Sequence, residues 1–295
     1  MKQYRFIIKV AYALLCGSIL LYACKKNDAT YNPDTGYIRP ATSTSNAYVT
    51  SFFEFNPAPG QFINTSISSD STAKTILGNS QNLLSLGAWG GYVVYGFDHT
   101  VIDSAGADLL VVGNALPQFA EPGIVWVMPD VNRNGKPDDT WYELAGSETG
   151  KTGYVRNYEV TYTRPNPVNG SVPWKDNQGN SGFVLVNQFH TQNYYPDNLT
   201  ANSYTLKGTL LPSANIDTTK PTYVVSYPFT NGYCDNKVGG DSVDIANAID
   251  AQGNKVVLKG IDFIKIQTGI LFNMGWLGEQ STEVSAIADL HLLRK

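Results

Sequence analysis

Residues 123–146 read GIVWVMPDVNRNGKPDDTWYELAG, and the fold turns on how this stretch is parsed. It opens on an apolar run, Ile124-Val125-Trp126-Val127-Met128, and closes on Trp141-Tyr142-Glu143-Leu144. Short runs of β-branched and aromatic residues bounded by Pro and Gly predict two strands. Between them Asp130, Asn132 and Asn134 place an oxygen-bearing side chain at every second position, and Gly135 comes sixth. That is the first half of an EF-hand-like calcium loop, whose positions 1, 3 and 5 turn side-chain oxygens inward. Glycine at the sixth position supplies the positive φ that lets the chain wrap an ion. Lys136 would add its carbonyl, and Asp138 falls at the ninth position. Trp141 stands where the bidentate Glu is expected, so Asp139, Glu143 or the more distant Glu121 would have to complete the shell. The same residues would also serve a metal-free Asn-Gly turn. The expected cofactor is calcium, held by Asp130, Asn132, Asn134, Lys136, Asp138 and Asp139 in a loop between strands, with no helix on either side.

Outward from this hairpin, strand-like runs recur: Phe52–Phe55, Tyr92–Phe97, Asp108–Val112, Tyr158–Thr163, Phe183–Asn187, Tyr204–Leu206 and Tyr223–Tyr227. Val243–Ile249, Lys255–Leu258, Asp262–Gln267 and Ile287–Leu293 follow, the first two joined by the turn Ala251-Gln252-Gly253-Asn254. No stretch carries a long 3.6-residue period, and no repeat recurs at a fixed interval. Charged residues are only 16%, while Gly (27) and Tyr (18) are plentiful. The expected fold is all-β, a β-sandwich or jelly roll with long loops and little helix. The Ser/Thr-rich remainder of 50–86 is expected to be a covering loop.

The N-terminus has a different character. Lys2, Arg5 and Lys9 flank an apolar segment from Phe6 to Tyr22, which ends in Leu21-Tyr22-Ala23-Cys24. A basic start, a short apolar core and small residues before a cleavage point describe a secretory signal. Leu-x-Ala-Cys is a lipobox, in which the cysteine is acylated and becomes the new N-terminus. The expected organisation is a lipoprotein signal peptide over 1–23, a lipidated Cys24 with a flexible tether over 24–48, and one β-sandwich domain over 49–295. Two or three acyl chains on Cys24 would anchor the protein in the outer-membrane lipid, where one chain would hold only marginally.

The chain has 295 residues and a formal charge of −4. Loss of the three N-terminal cations leaves 18 basic against 25 acidic residues, near −7. No basic stripe with interleaved aromatics exists, which argues against a nucleic-acid partner. Of three cysteines, Cys16 leaves with the signal and Cys24 takes lipid, so Cys234 has no internal partner for a disulfide.

Four polar loops carry aromatic residues: 174–180 with Trp174, Asp176 and Asn177; 189–196 with His190, Tyr194 and Tyr195; 233–237; and 275–283 with Trp276 and Glu279. Aromatic faces beside amides and carboxylates suit a sugar or another flat polar ligand, and these eight named residues are the candidate ligand contacts. They would serve equally to pack the loops onto the sandwich. No G-x-S-x-G, H-E-x-x-H or paired-His metal spacing occurs. His99 and His291 read as structural and His190 as the histidine best placed for chemistry. Catalysis on glycans would need two carboxylates drawn from Glu121, Glu143, Glu279 and Glu283.

Several motifs together carry a family resemblance. They are Gly90 to Asp98 (GGYVVYGFD), Gly106-Ala107-Asp108 with Gly113-Asn114, and Glu121 to Val125. Asp130 to Glu148, Phe189 to Pro196, Ile261 to Lys265 and Trp276 to Glu283 complete the set. From Leu83 onward the chain resembles the cell-surface lipoproteins common in Bacteroidota. The resemblance implies a jelly roll similar to galactose-binding modules. Some such lipoproteins are encoded beside outer-membrane uptake systems for glycans or cobalamin. The implied role is non-catalytic ligand capture at the cell surface. A TonB-dependent transporter is then a candidate partner, with cobalamin as an alternative ligand to a glycan.

Overall fold

The computed structural model describes residues 38–78, 82–220 and 222–294. The signal segment, Cys24 and the tether up to residue 37 lie outside the described residues. In chain order the strands are β1 (Ser51–Asn56), β2 (Leu84–Ser85), β3 (Tyr92–Ile102), β4 (Leu109–Val112), β5 (Gly123–Met128) and β6 (Tyr142–Leu144). Next come β7 (Val155–Thr163), β8 (Val172–Asp176), β9 (Ser181–Val184), β10 (Ser203–Leu210), β11 (Ile216–Asp217) and β12 (Val225–Ser226). The last are β13 (Tyr233–Cys234), β14 (Asp241–Val243), β15 (Ala248–Ile249), β16 (Gly260–Thr268), β17 (Glu283–Val284) and β18 (Ala286–Asp289). Two short helices, α1 (Asp70–Thr75) and α2 (Leu290–Leu293), complete the set. The protein is all-β, as its patterning predicts.

The principal sheet runs β1-β3-β16-β5-β6-β15, with β13 also paired to β5. All its pairings are antiparallel, and β16 is central, bonded to β3 on one side and β5 on the other. One face of this sheet packs on the β14-β4-β18 sheet. The core between them takes Val93, Tyr95 and Val101 from β3, Val125 and Val127 from β5, and Ile264 and Ile266 from β16. Leu109, Val111, Val243 and Ile287 meet them from the smaller sheet. The i, i+2 spacing of these residues is the strand period that carries one face inward.

The opposite face of the principal sheet carries the β10-β7-β8-β9 sheet. Gln267 on β16 donates to the carbonyls of Gly90 and Lys207, and Thr209 on β10 donates to Glu143 on β6. Trp89, Tyr158, Tyr162, Tyr194, Tyr195 and Leu206 form a second, aromatic core there.

Five local outcomes depart from the sequence expectation. Ser69 caps a helical turn at α1, its hydroxyl accepting from Thr72 N, where a plain covering loop was expected. The final strand stops at Asp289, whose carboxylate caps α2, so Leu290–Leu293 is helical instead of extended. Lys255–Leu258 makes only isolated bridging contacts, such as Val256 N to Ala248 O. Residues 174–176, expected to open the polar loop 174–180, instead end strand β8, with Asp176 at the turn that follows. The described part of the expected tether bonds to the sheet: Thr100 N donates to the Arg39 carbonyl, Arg39 N donates to the Thr100 hydroxyl, and Arg39 pairs with Asp262. No described helix is long and apolar enough to cross a membrane.

Candidate functional site

The loop after β5 folds around the Asp130 carboxylate. One oxygen accepts Asn134 N at 3.1 Å and the other accepts Gly135 N at 3.0 Å. Asn132 Oδ1 accepts Asn134 N, and Asn134 Oδ1 accepts Lys136 N. Gly135 has φ 71°, the left-handed conformation that the sequence position requires. These bonds fix the side chains of positions 1, 3 and 5 against the backbone of their own loop. Asp138 accepts both amide groups, from Asn132 at 2.8 Å and from Asn134 at 2.9 Å, and those bonds hold its pKa below the usual carboxylate value. Asp139 accepts Asn132 N. The donor set is all oxygen, from carboxylates and amides with a carbonyl at Lys136, and this chemistry fits calcium.

Two of the three residues that could replace the twelfth-position Glu are engaged elsewhere. Glu143 is buried and accepts from Tyr154 and Thr209. Glu121 belongs to another group, described below. Trp141 instead packs against Lys265, whose ammonium lies 5.0 Å from its ring and 4.6 Å from that of Trp126. Burial lowers the Lys265 pKa to about 8, against the opposing pull of Glu54 and Glu143. Backbone N–H of Asp130 donates to Asp262, so the loop is tied to β16 at its first residue.

The second feature is a cavity of about 330 Å³ at the 275–283 loop. Leu116, Phe119, Met274, Trp276 and Leu277 supply its apolar wall, and Gln61, Glu121, Glu279 and Gln280 its polar wall. Trp276 is 47% exposed, at the rim, whereas Glu279 is 5% exposed. The Glu279 carboxylate is fixed by Gln61 N, which donates to Oε1 at 2.8 Å. Gly60 and Gly278 make that approach possible: a Cβ on Gly60 would strike Glu279 Oε1, and one on Gly278 would lie 2.7 Å from the Gln61 amide. Glu279 Oε2 and Gln280 Oε1 are buried with no hydrogen-bond donor. Burial raises the Glu279 pKa to about 7. A neighbouring cavity of about 280 Å³ shares Glu279 and Gln280 and adds Trp174, Phe183 and Phe272. A larger space of about 480 Å³ lies near Asn64 and Asp197, but those two bond to each other there.

The third feature lies behind the first cavity. Glu121, Asp235 and Glu283 each bring a carboxylate oxygen within 4.8 Å of the other two. β13 pairs with β5, and Glu121 N donates to Asp235 O, which sets the first two side by side. Burial, and then the Asp235 charge, raise the Glu121 pKa to about 8. Burial also pushes Asp235 and Glu283 well above the carboxylate range. Another acidic group, Asp103, Asp108 and Asp244, is locally satisfied: Asp108 accepts from Ser104 N, Ile245 N and His291.

The histidines do not assemble a triad. His99 is buried between Asp98 at 2.7 Å and Asp289 at 2.9 Å. Burial works against its charge, but the two carboxylates prevail and raise its pKa. His291 meets both Asp108 and Ser104 through the same Nε2, whereas a relay needs opposite ring nitrogens. His190 packs edge-on to Phe62 at 4.9 Å.

Of the eight candidate ligand contacts, the fold gathers Trp174, Trp276 and Glu279 around the 279–280 wall. Asp176 and Asn177 form the β8–β9 turn, where Asp176 accepts from Gln178 N, Asn180 N and the Tyr158 hydroxyl. Tyr194 and Tyr195 are wholly buried, their hydroxyls bound to the carbonyls of His190 and Ala201, so they belong to the core and not to a ligand surface. Sequence reading missed Gln61 and Phe119, which carry no local motif, and gave Gln280 no role within the 275–283 loop. No protein-family model and no curated protein matches this chain. Function has to be read from the residues themselves.

Proposed function

We propose that this is a lipid-anchored outer-membrane protein that captures a glycan segment, without catalysis, in the cavity beneath Trp276. One observation carries the reading: Glu279 Oε2 and Gln280 Oε1 are buried acceptors with no donor, in the wall of an open cavity. Buried acceptors without partners are costly, and a ligand rich in hydroxyl donors repays that cost on binding. Sugar hydroxyls are such donors, and the C–H faces of a sugar ring stack on aromatic side chains such as Trp276 and Phe119. A volume of about 330 Å³ sits at the small end of ligand sites, suited to one or two sugar rings and tight for a corrinoid. Glu121 shares its carboxyl environment with Glu283, which leaves Glu279 as the carboxylate free to face a ligand. That asymmetry supports capture over hydrolysis, which needs two independent carboxyl groups facing the substrate.

The 130–139 loop would hold calcium as a staple for the long β5–β6 connection. Acylated Cys24 would place the domain at the outer membrane, where a TonB-dependent transporter is the natural recipient of captured ligand.

Calorimetric titration of the full chain with a glycan panel and with cobalamin tests this reading. A glycan is expected to bind, with at least a tenfold loss of affinity in Trp276→Ala and Glu279→Gln. Cys24→Ser should move the protein from the membrane to the soluble fraction with unchanged affinity. Tight binding of cobalamin alone, or glycan binding indifferent to both cavity substitutions, would sink the assignment.

A further inference from the structure

We propose that Glu121, Asp235 and Glu283 hold a divalent metal ion, calcium by the character of their oxygens, at a site separate from the 130–139 loop. The three carboxylates arrive from distant parts of the chain: the entry to β5, the exit of β13, and β17. Their oxygens lie within 4.8 Å of one another. Calcium–oxygen distances of about 2.3–2.6 Å let oxygens no farther apart than that share one ion.

Glu283 supplies the independent sign of a missing ligand. It is 2% exposed, its Oε2 accepts from no N–H or O–H donor, and its carboxyl lies against that of Glu121. The donors that do reach the group are neutral. Asn114 N and Glu283 N donate to the two oxygens of Asp235 at 2.9 and 2.8 Å. Ser281 N donates to Glu121 at 2.9 Å, and the Ser281 hydroxyl to Glu283 Oε1 at 3.1 Å. Such bonds orient carboxylates as outer partners orient metal ligands, but they supply no positive charge to offset ionisation of the three buried groups. A cation at the centre would meet Glu283 Oε2 and neutralise the group. Glu121 also lines the cavity beneath Trp276, so the ion would sit at its floor; the metal site does not depend on what that cavity binds.

Metal content per chain tests this directly, with calcium alone as the probe. Full-length protein is stripped with a chelator, dialysed against calcium, washed and measured by elemental mass spectrometry. Glu283→Gln keeps the side-chain shape and exchanges a carboxylate for a neutral amide. It is expected to lower bound calcium by one equivalent per chain relative to wild type. Asp130→Ala/Asn134→Ala, which disables the loop, should keep the equivalent that Glu283→Gln loses. Equal calcium in wild type and Glu283→Gln overturns the proposal and leaves a proton shared between Glu121 and Glu283 as the group's only occupant. Should Glu283→Gln fail to fold, the loop variant still decides: calcium must raise its Tm, because an ion that binds only the folded state stabilises it. No rise overturns the site.

Discussion

Burial holds the Glu279 carboxyl at about 7 in the folded protein, against 4.5 for the free side chain. Between those values the unfolded chain has lost the proton and the folded chain keeps it. The contribution of this group to stability is therefore full below pH 4.5 and is lost as pH rises through 7. The difference corresponds to about 3 kcal/mol, at roughly 1.4 kcal/mol per pH unit. Glu279→Gln carries no titrating group and should escape this loss. Its Tm should match wild type near pH 4.5 and exceed it by several degrees at pH 8. The same substitution should weaken ligand binding, because it turns the unpartnered acceptor into a donor. A side chain whose removal stabilises the fold while costing affinity is one retained for function. Parallel Tm curves for the two proteins between pH 4.5 and 8 would show that Glu279 carries no such penalty.

The 130–139 loop, with calcium as its proposed ion, belongs to the scale of an element. Asp130 caps two backbone N–H groups with its own oxygens, so the loop has some order from hydrogen bonds alone. Its metal would add binding energy to folding energy. Asp130→Ala/Asn134→Ala should lower the Tm in calcium and shrink the difference between calcium and EDTA relative to wild type. If that difference is undiminished, the loop is a turn. The flanking strands were legible because their apolar runs end at Pro129 and Gly146, and the loop because its alternation is dense. β8 was not legible, because Pro173 and Lys175 argue against a strand there. The structure resolves the conflict: pairing to β7 starts only at Trp174, so the missing N–H of Pro173 costs nothing on that side. The helical turn at α2 was hidden because Ile287 to Leu293 alternates as a strand would. The Asp289 cap, which ends the strand, is satisfied by the tertiary placement of His99 as well as by its own helix.

At the scale of the whole molecule, sequence reading reached single residues of the site but not their assembly. Trp276 and Glu279 stood out as an aromatic and a carboxylate in one loop. Gln61 and Phe119 could not be joined to them, since only the packing of sheets brings those positions together. Asp262 shows the same logic in stabilisation. Its buried carboxylate accepts Arg39 Nε at 3.0 Å and Nη2 at 2.8 Å, the Thr100 hydroxyl at 2.7 Å, and Asp130 N at 2.8 Å. One side chain thus joins the N-terminal segment, β3, β16 and the 130–139 loop. Arg39→Ala leaves that carboxylate with two of these partners, and its side chain is 29% exposed, so the cost is well below that of breaking a fully buried pair. About 2 kcal/mol is expected, the range for hydrogen bonds to a charged group, read as a fall in Tm of a few degrees. Arg39→Lys should recover little of it, since an ammonium cannot reproduce the two-pronged contact. Because Asp262 also holds the first residue of the loop, Arg39→Ala and the loop double substitution should be non-additive in Tm. Strict additivity would mean that Asp262 joins these elements in space without coupling them in energy.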